Sequence, residues 1–446
     1  MAEMFLYLPV FLLNIIIIIF IIRWRGFISF EGLGVALLAV VITSDYLGLL
    51  INYFFTPDMT REILALRIYP SIIHAVGLIS LSAGLFIINP KPAPIPRQLN
   101  PRERKSVIKI AVFLVILGFT MKFVSLYAEG ITSIKSFFQN MYGYVIAQRK
   151  FGGFLDEGLA IMILGLGVIA ANQKTIKRQS IFLIIMVGLT FVLSSSRGGV
   201  VGPIIIFFLS LWIFNKKLLR IWFNPLFISI FVVIIILTAG LKSQIRARPG
   251  AVDSSFSGMC HWGVDRFVSR FNDTGLYDGY SNYINRISMD KSRLCNGKVL
   301  KYTLTSWVPH VIYKDKPHHP FRAIGDLVYR DFRVSADDVS AVMLVGTAFA
   351  DYGILSVILY LFLYGVLLGF LRKITTAKNA NILLFIWYLH FMFIDGYSNF
   401  IHGGIVNIFG TVALATGVIG LGFIYTQILF IMRAAAMSAG KDYRYA

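Results

Sequence analysis

A short stretch between positions 307 and 322 brings together the residue types that bind sugars and phosphate. Aromatic rings, cations, imidazoles and a carboxylate follow one another between prolines, and the prolines forbid a regular helix. Aromatic faces suit stacking on a sugar ring, and the charged groups suit hydroxyls or phosphate. The candidates for a general base are Asp315, His318 and His319, and those for binding phosphate are Lys316 and Arg322. A solvated polar loop is the alternative for each of them.

The paired histidines do not predict a metal site. His318 and His319 are adjacent, so on an extended chain their side chains point to opposite sides. No cluster of carboxylates completes a set of ligands around them. We therefore predict neither a metal nor another cofactor.

Two further cationic clusters adjoin apolar runs. Residues 193–199 read Leu-Ser-Ser-Ser-Arg-Gly-Gly, a tight turn in which glycines let backbone amides approach a ligand and Arg197 offers a planar charged fork. Arg246 and Arg248 follow the apolar run 223–241 and lie on one side of an extended segment. Both clusters suit a pyrophosphate at the depth of the lipid headgroups. Arginines that only anchor helices at the membrane surface are the alternative.

These clusters belong to a chain built from apolar runs of about twenty residues. Its residues are 57% hydrophobic and 14% charged, which predicts an all-α polytopic membrane protein. We place eleven spans, at residues 4–22, 30–55, 64–88, 107–127, 153–171, 180–195, 199–214, 223–241, 342–371, 380–395 and 403–432. The first run lacks a basic leader and a cleavage site, so we interpret it as a helix and not as a signal peptide.

Basic loops give the predicted orientation. Every second connection is rich in Lys and Arg, at residues 23–25, 91–105, 174–178, 216–220, 372–378 and 433–444. Such an excess in short loops is typical of the cytoplasmic side. We therefore predict three parts: residues 1–241 with transmembrane helices 1–8, residues 242–339 as one large outer loop domain, and residues 340–446 with helices 9–11 and a short cytoplasmic tail.

The outer segment is itself cationic. Residues 242–339 contain fifteen Lys and Arg against ten carboxylates, a net charge near +5. Loops longer than about 60 residues escape the orientation rule, so this charge does not oppose an outer position. An anionic, phosphate-bearing ligand would account for it. Nucleic acid is not predicted from the chain's net charge of +20, because about half of its positive charges serve membrane orientation.

Both cysteines of the chain, Cys260 and Cys295, lie in this outer segment. An oxidising compartment permits a disulfide between them, which would close a loop of about 35 residues and add ~3 kcal/mol of stability. Two free buried thiols are the alternative. A metal site is disfavoured, since no Cys-x-x-Cys or paired His spacing accompanies them.

Four ionisable residues in or near the spans complete the candidates. Asp45 and His74 lie at similar depth in the second and third spans, and charges at such depth are paired or functional. We expect a structural Asp45–His74 contact, with a proton relay as the alternative. Asp395 lies at the outer end of the tenth span and faces the same side as Arg197. Asp351 lies in the run 340–371, which exceeds the bilayer core, so its first turns are expected to stand above the membrane.

The order of these elements resembles that of the Wzy-type O-antigen polymerases. The resemblance rests on the Ser-Arg-Gly-Gly turn, on the Pro-x-x-x-x-x-Asp-Lys-Pro stretch from Pro309 to Pro317, and on Gly346 to Gly353, which read Gly-Thr-Ala-Phe-Ala-Asp-Tyr-Gly. It covers most of the chain beyond about residue 190, whereas the first half matches only in being hydrophobic. The predicted spans are fewer than in many relatives.

The resemblance implies a glycosyltransferase of the GT-C-like fold in a bacterial inner membrane, with residues 242–339 in the periplasm. Such an enzyme transfers a growing glycan from undecaprenyl pyrophosphate to the next lipid-linked repeat unit, without metal or nucleotide sugar. Arg197 matches the family's arginine at that turn, and Arg286 with Gly297 fits its loose Arg-x10-Gly pattern. The implied partners are the lipid-linked oligosaccharide, membrane lipids and a chain-length regulator.

Two other functions share this layout. An O-antigen ligase uses the same lipid pyrophosphate donor but passes the glycan to the lipid A core, and only the acceptor separates it from a polymerase. A transporter or flippase for the lipid-linked sugar would predict charged or broken helices near the midplane of both halves. In this sequence the polar residues gather towards one end of the spans.

Overall fold

The computed structural model describes residues 2–26, 30–55, 57–88, 101–128, 158–193, 201–222, 224–247, 255, 257–262, 275–305, 308, 313 and 343–376, together with eight helical positions between 412 and 431. Within these residues every regular element is a helix. They form two compact units, one from residues 1–94 and 268–414, the other from residues 95–267 and 415–446.

The first unit contains seven of the described α-helices. They are α1 (Ala2–Arg25), α2 (Phe30–Phe55), α3 (Pro57–Ile87), α10 (Gly275–Met289), α11 (Lys298–Thr305), α12 (Met343–Tyr352) and α13 (Ile354–Thr376). Helix α3 is central, because α1, α2, α10, α12 and α13 all pack against it. Helices α10 and α11 of this unit lie within the predicted outer loop domain, residues 242–339, whose assignment as one domain stays a prediction.

The second unit contains the helices between these two parts. They are α4 (Pro101–Ala128), α5 (Gly158–Ala171), α6 (Ile176–Leu193), α7 (Val201–Phe214), α8 (Lys216–Trp222) and α9 (Pro225–Ala247). Helix α5 is almost wholly buried and packs against α4, α6 and α7. It is apolar on all sides, as expected of a helix that other helices surround.

Among the described residues, five helices are long and apolar enough to cross a membrane, and three more are apolar but shorter. The long ones cover Leu6–Arg25, Gly34–Ile51, Glu62–Ile87, Glu103–Tyr127 and Ile354–Lys373. These helices indicate a membrane protein, as the composition predicts. The predicted span 380–395 and most of the span 403–432 lie outside the described residues.

Glycines let the central helices of each unit approach closely. A Cβ atom at Gly84 of α3 would overlap the carbonyl oxygen of Phe362, and one at Gly365 of α13 would overlap that of Leu81. Gly118 of α4 and Gly158 of α5 face each other's carbonyl oxygens in the same way. Small residues at crossings are the usual means by which membrane helices pack, because lipid supplies no hydrophobic driving force between them.

The predicted single run over 342–371 is wrong, because the structure divides it into α12 and α13. The break is at Gly353, whose φ of +65° is in the left-handed region that glycine adopts without cost. The Ser356 hydroxyl accepts a hydrogen bond from the Tyr352 amide at 2.9 Å and donates one to the Gly353 carbonyl at 2.9 Å. It thus satisfies backbone groups that the break exposes.

Candidate functional site

Asp351, at the end of α12, binds residues 297–300, which precede the 307–322 stretch in the sequence. Its carboxylate is fully buried and accepts hydrogen bonds from the amides of Gly297, Val299 and Leu300 at 3.0, 3.0 and 2.9 Å. The Tyr360 hydroxyl donates a fourth at 3.0 Å. The first amides of α11 have no partner within their own helix, and the positive end of the helix dipole favours a carboxylate there.

Backbone bonds extend this contact, which we call the Asp351 clasp and define as Asp351 with residues 295–300 and Tyr360. The Cys295 amide donates to the Ala350 carbonyl at 2.7 Å and the Asn296 amide to the Asp351 carbonyl at 3.2 Å. Gly297 has a φ of +86°, and a Cβ atom there would meet the Tyr352 hydroxyl at 2.7 Å. The clasp therefore requires glycine at position 297.

These contacts involve residues of two of the sequence patterns described above. Gly297, the glycine of the Arg-x10-Gly pattern, opens α11 and donates to Asp351. Arg286 lies half-buried in the last turn of α10. Asp351, the carboxylate of the Gly346 to Gly353 motif, is enclosed and committed to donors of the protein itself. Its chemistry is therefore that of a fixed acceptor and not that of a general base.

Removing the clasp carboxylate is expected to loosen α11. In Asp351→Ala three amides, one of them buried and two partly buried, lose their acceptor, and we expect a loss of about 3 kcal/mol in stability. Hydrogen exchange should become faster at the amides of 297, 299 and 300. Tyr360→Phe, which removes one of the four donors, is the matched control and should cost about 1 kcal/mol. Unchanged exchange at these amides in Asp351→Ala would contradict the clasp.

A buried ion pair lies elsewhere in the same unit. Arg67 Nη2 of α3 is 3.2 Å from Asp45 Oδ1 of α2, and the side chains are 2% and 1% exposed. The Tyr7 hydroxyl donates to the other oxygen of Asp45 at 3.4 Å. Arg67 also donates to the Tyr277 carbonyl at 3.2 Å and lies 5.4 Å from the centre of the Tyr277 ring. Two charges at such depth are tolerable because they neutralise each other.

The predicted Asp45–His74 contact is wrong. His74 is fully buried, but its Nδ1 atom lies 2.7 Å from the side-chain oxygen of Asn14. Asn14 in turn donates to the Ser71 and Val10 carbonyls at 3.1 and 2.9 Å. Similar depth in two spans did not specify the partners, because Arg67, about two turns before His74 in α3, is the partner of Asp45 and offers a stronger, charged bond.

Helix α10 is fastened to α3 around a proline. Pro70 lacks an amide hydrogen, which leaves the Leu66 carbonyl without its helical donor. Asn285 donates to that carbonyl at 2.8 Å, and the Tyr280 hydroxyl donates to the Pro70 carbonyl at 2.8 Å. A short hydrogen bond joins the Ser71 and Tyr277 hydroxyls. Helix α10 is thus attached to α3 through two backbone carbonyls, of which that of Leu66 lacks its helical donor, and through one pair of hydroxyls.

Most of the predicted site residues lie outside the described part of the chain. They are Arg197, Arg248, Asp315, Lys316, His318, His319 and Arg322, and Asp395 joins them. Arg246 is in the last turn of α9, where its side chain is not described. Their grouping at one site stays a prediction.

Cys260 and Cys295 are free thiols in the structure, but they belong to different units, so the disulfide between them stays a prediction. Cys295 is buried, and its amide is part of the Asp351 clasp. Burial raises the pKa of its thiol to about 11, and the nearby Asp351 charge adds to this.

Alkylation should distinguish the two cysteines. In native protein at pH 8, Cys260, which is partly exposed, is expected to react with iodoacetamide. Cys295 should not, because a thiol with a pKa of about 11 forms little thiolate at that pH. Denaturation without reductant should then expose one additional thiol. Cys295→Ser is the control, and a failure to label either residue before reduction would show that the disulfide exists.

The second unit contains an apolar groove of about 490 Å³. One face of α6 lines it with Ser180, Leu183, Ile184, Val187 and Gly188. One face of α9 lines it with Phe227, Ile230, Phe231, Ile234 and Leu237. Trp222 and Met259 complete the lining, and the indole of Trp222 donates to the Gln179 side chain at 2.8 Å. A groove of this size and composition fits an apolar chain.

Among the described residues no group of histidines, cysteines and carboxylates could hold a metal ion. No protein-family model matches the chain, and comparison with curated proteins and with solved structures likewise returns no match.

Proposed function

We propose that this chain is a polysaccharide polymerase of a bacterial inner membrane. It would transfer a growing glycan from undecaprenyl pyrophosphate to the non-reducing sugar of a lipid-linked repeat unit at the periplasmic face. The observation that carries the proposal is the order of three motifs in the sequence: the Arg197 turn, the stretch from Pro309 to Pro317, and Gly346 to Gly353. They occur in a chain whose helices indicate a membrane protein.

Two structural features support the proposal. Asp351 of the third motif binds the start of α11. Helix α11 ends two residues before Trp307, the first residue of the 307–322 stretch that contains the second motif. This contact of Asp351 supports the proposal because it joins the third motif to the helix that precedes the second motif in the sequence. In addition, Arg372 near the end of α13 donates to the Arg25 carbonyl at the end of α1 at 2.8 Å. This contact agrees with the prediction that the basic connections 23–25 and 372–378 lie on the same, cytoplasmic side.

The proposed reaction needs charge stabilisation and a base. The acceptor hydroxyl attacks C1 of the donor sugar, the bond from C1 to the pyrophosphate oxygen breaks, and the anomeric centre inverts. Guanidinium groups stabilise the departing pyrophosphate, with Arg197 foremost and Arg246, Arg248 or Arg322 assisting. Asp315, His318 or His319 accepts the proton of the hydroxyl. No metal or nucleotide sugar takes part.

Incubation of purified protein with lipid-linked repeat units, followed by separation by size, tests the proposal. A ladder of products spaced by one repeat is the expected result. A single addition to core lipid, and none to a second repeat unit, would replace the proposal with ligation. Movement of the substrate across a vesicle membrane without any change in size would replace it with transport.

A further inference from the structure

We propose that the apolar groove between α6 and α9 binds the polyprenyl tail of the lipid pyrophosphate. The inference rests on the proposed function for the identity of the lipid, but it concerns a separate surface. The groove occupies about 490 Å³ and is lined almost wholly by apolar side chains. Its walls belong to helices whose composition is that of a membrane interior.

The groove follows the helices lengthwise. Its α6 residues run from Ser180 to Gly188 and its α9 residues from Phe227 to Leu237, which corresponds to about 12 and 15 Å along the helix axes. Within each helix the lining positions recur at intervals of three and four, so each helix gives the groove one continuous face. An extended chain is the ligand shape that such a groove accommodates.

In the sequence, arginines lie at or after the carboxyl end of each of the two helices. Helix α6 ends at Leu193, and Arg197 follows four residues later in the sequence. Arg246 is in the last turn of α9, and Arg248 follows the helix. Both walls of the groove are therefore continuous in sequence with the arginines for which a pyrophosphate is proposed. This order, apolar faces followed by cations, complements a lipid with a long apolar tail and a pyrophosphate head.

An apolar lining alone would not select this lipid. Bilayer chains are as apolar as leucine, so a tail gains little by leaving them. Selection requires that the head be held first, since a tethered tail then meets the groove at a high effective concentration. The aromatic side chains of Trp222, Phe227 and Phe231 in the lining then offer flat surfaces to a methyl-branched chain.

Gly188 allows the groove to be filled without disturbing a helix contact. A Cβ atom at Gly188 would meet nothing within 4 Å, so Gly188→Trp or Gly188→Leu places new volume in the groove. Ile181 is on the same helix, is 48% exposed and does not line the groove. Ile181→Trp is therefore the matched control for the added bulk.

The test is photo-crosslinking of the full chain in phosphatidylglycerol nanodiscs. The probe is undecaprenyl pyrophosphate without sugar, with a diazirine in its tail, and the labelled peptides are mapped. We expect labels on the groove faces of α6 and α9, a loss of about tenfold in Gly188→Trp and Gly188→Leu, and wild-type labelling in Ile181→Trp. A polyprenol probe without pyrophosphate should label the groove less.

Three results would overturn the inference. The wild-type protein could be labelled elsewhere, the Gly188 variants could be labelled as efficiently as wild type, or a diazirine phosphatidylglycerol could label the groove equally well at the same mole fraction. The last would make the groove an ordinary lipid contact. The probe carries no sugar, so labelling does not depend on polymer formation, which the incubation with lipid-linked repeat units measures separately. Groove labelling without polymer formation would reject the proposed function alone. Polymer formation without groove labelling would reject this inference alone.

Discussion

Arg197→Ala is expected to abolish polymer while leaving the protein folded in the membrane. In the proposed reaction negative charge develops on the departing pyrophosphate, and the guanidinium stabilises it more in the transition state than in the ground state. Loss of one such donor costs about 10²–10³ in turnover. Arg197→Lys keeps the charge but not the planar fork, so its rate should lie between those of Arg197→Ala and wild type.

The measurement is the initial rate of repeat addition by equal amounts of purified protein, with size exclusion to confirm the folded state. Arg178→Ala is the matched control, because Arg178 is an exposed arginine at the start of α6 and its loss removes the same charge. That control should retain the wild-type rate within about twofold. Full polymer length and rate in Arg197→Ala would remove Arg197 from the mechanism.

Separating the Asp45–Arg67 pair is expected to cause the largest loss of stability. Either Asp45→Leu or Arg67→Leu leaves the opposite charge buried without its ionic partner, which costs about 3–5 kcal/mol. The double variant removes both charges and should cost much less than the two single effects together, because no isolated charge remains. Arg67→Leu also removes the bond to the Tyr277 carbonyl, so α10 should exchange its amide hydrogens faster.

Unfolding free energies of the four proteins in detergent form the double-mutant cycle for this pair. Ser82→Ala is a suitable control, since it removes only a local bond to the Leu78 carbonyl and should cost less than about 1 kcal/mol. If the single losses add up to the loss in the double variant, the two charges do not stabilise each other.

Hydropathy alone predicted much of the helical framework. The second span was predicted at 30–55, the bounds of α2, and the spans at 64–88 and 107–127 lie within or one residue beyond α3 and α4. Long apolar runs specify helices in lipid because every backbone group must find an internal partner. The break at Gly353 was not predicted, because a left-handed glycine depends on local capping by Ser356 and hydropathy does not register it.

The polar contacts were harder to predict because they join distant parts of the chain. Asp45 and His74 were recognised as buried, yet their partners are Arg67 and Asn14. One signal for Arg67 was present, since it is a charge inside the predicted span 64–88. Helix α10 also buries Tyr277, Tyr280 and Ile284, at intervals of three and four residues that indicate a helix packed on one face. Only the fold shows that this face meets α3.

The Asp351 clasp shows what motif resemblance can and cannot supply. The motif from Gly346 to Gly353 and the Arg-x10-Gly pattern were both recognised in the sequence. The sequence did not predict that the Gly297 amide donates to the Asp351 carboxylate. Fifty-four positions separate them in sequence, and no periodicity connects positions so far apart. The candidate site itself remains a prediction from residue types, because its arginines and candidate bases lie outside the described residues or lack described side chains.

The proposed reaction releases one polyprenyl pyrophosphate for every sugar bond formed, with cations of the chain stabilising the leaving group. The most direct measurement follows both products together, using purified protein, lipid-linked repeat units and excess EDTA. We predict one polyprenyl pyrophosphate released for each repeat added, at a rate that EDTA does not change. Polymer growth without that release, or no growth until a divalent metal is restored, would contradict it.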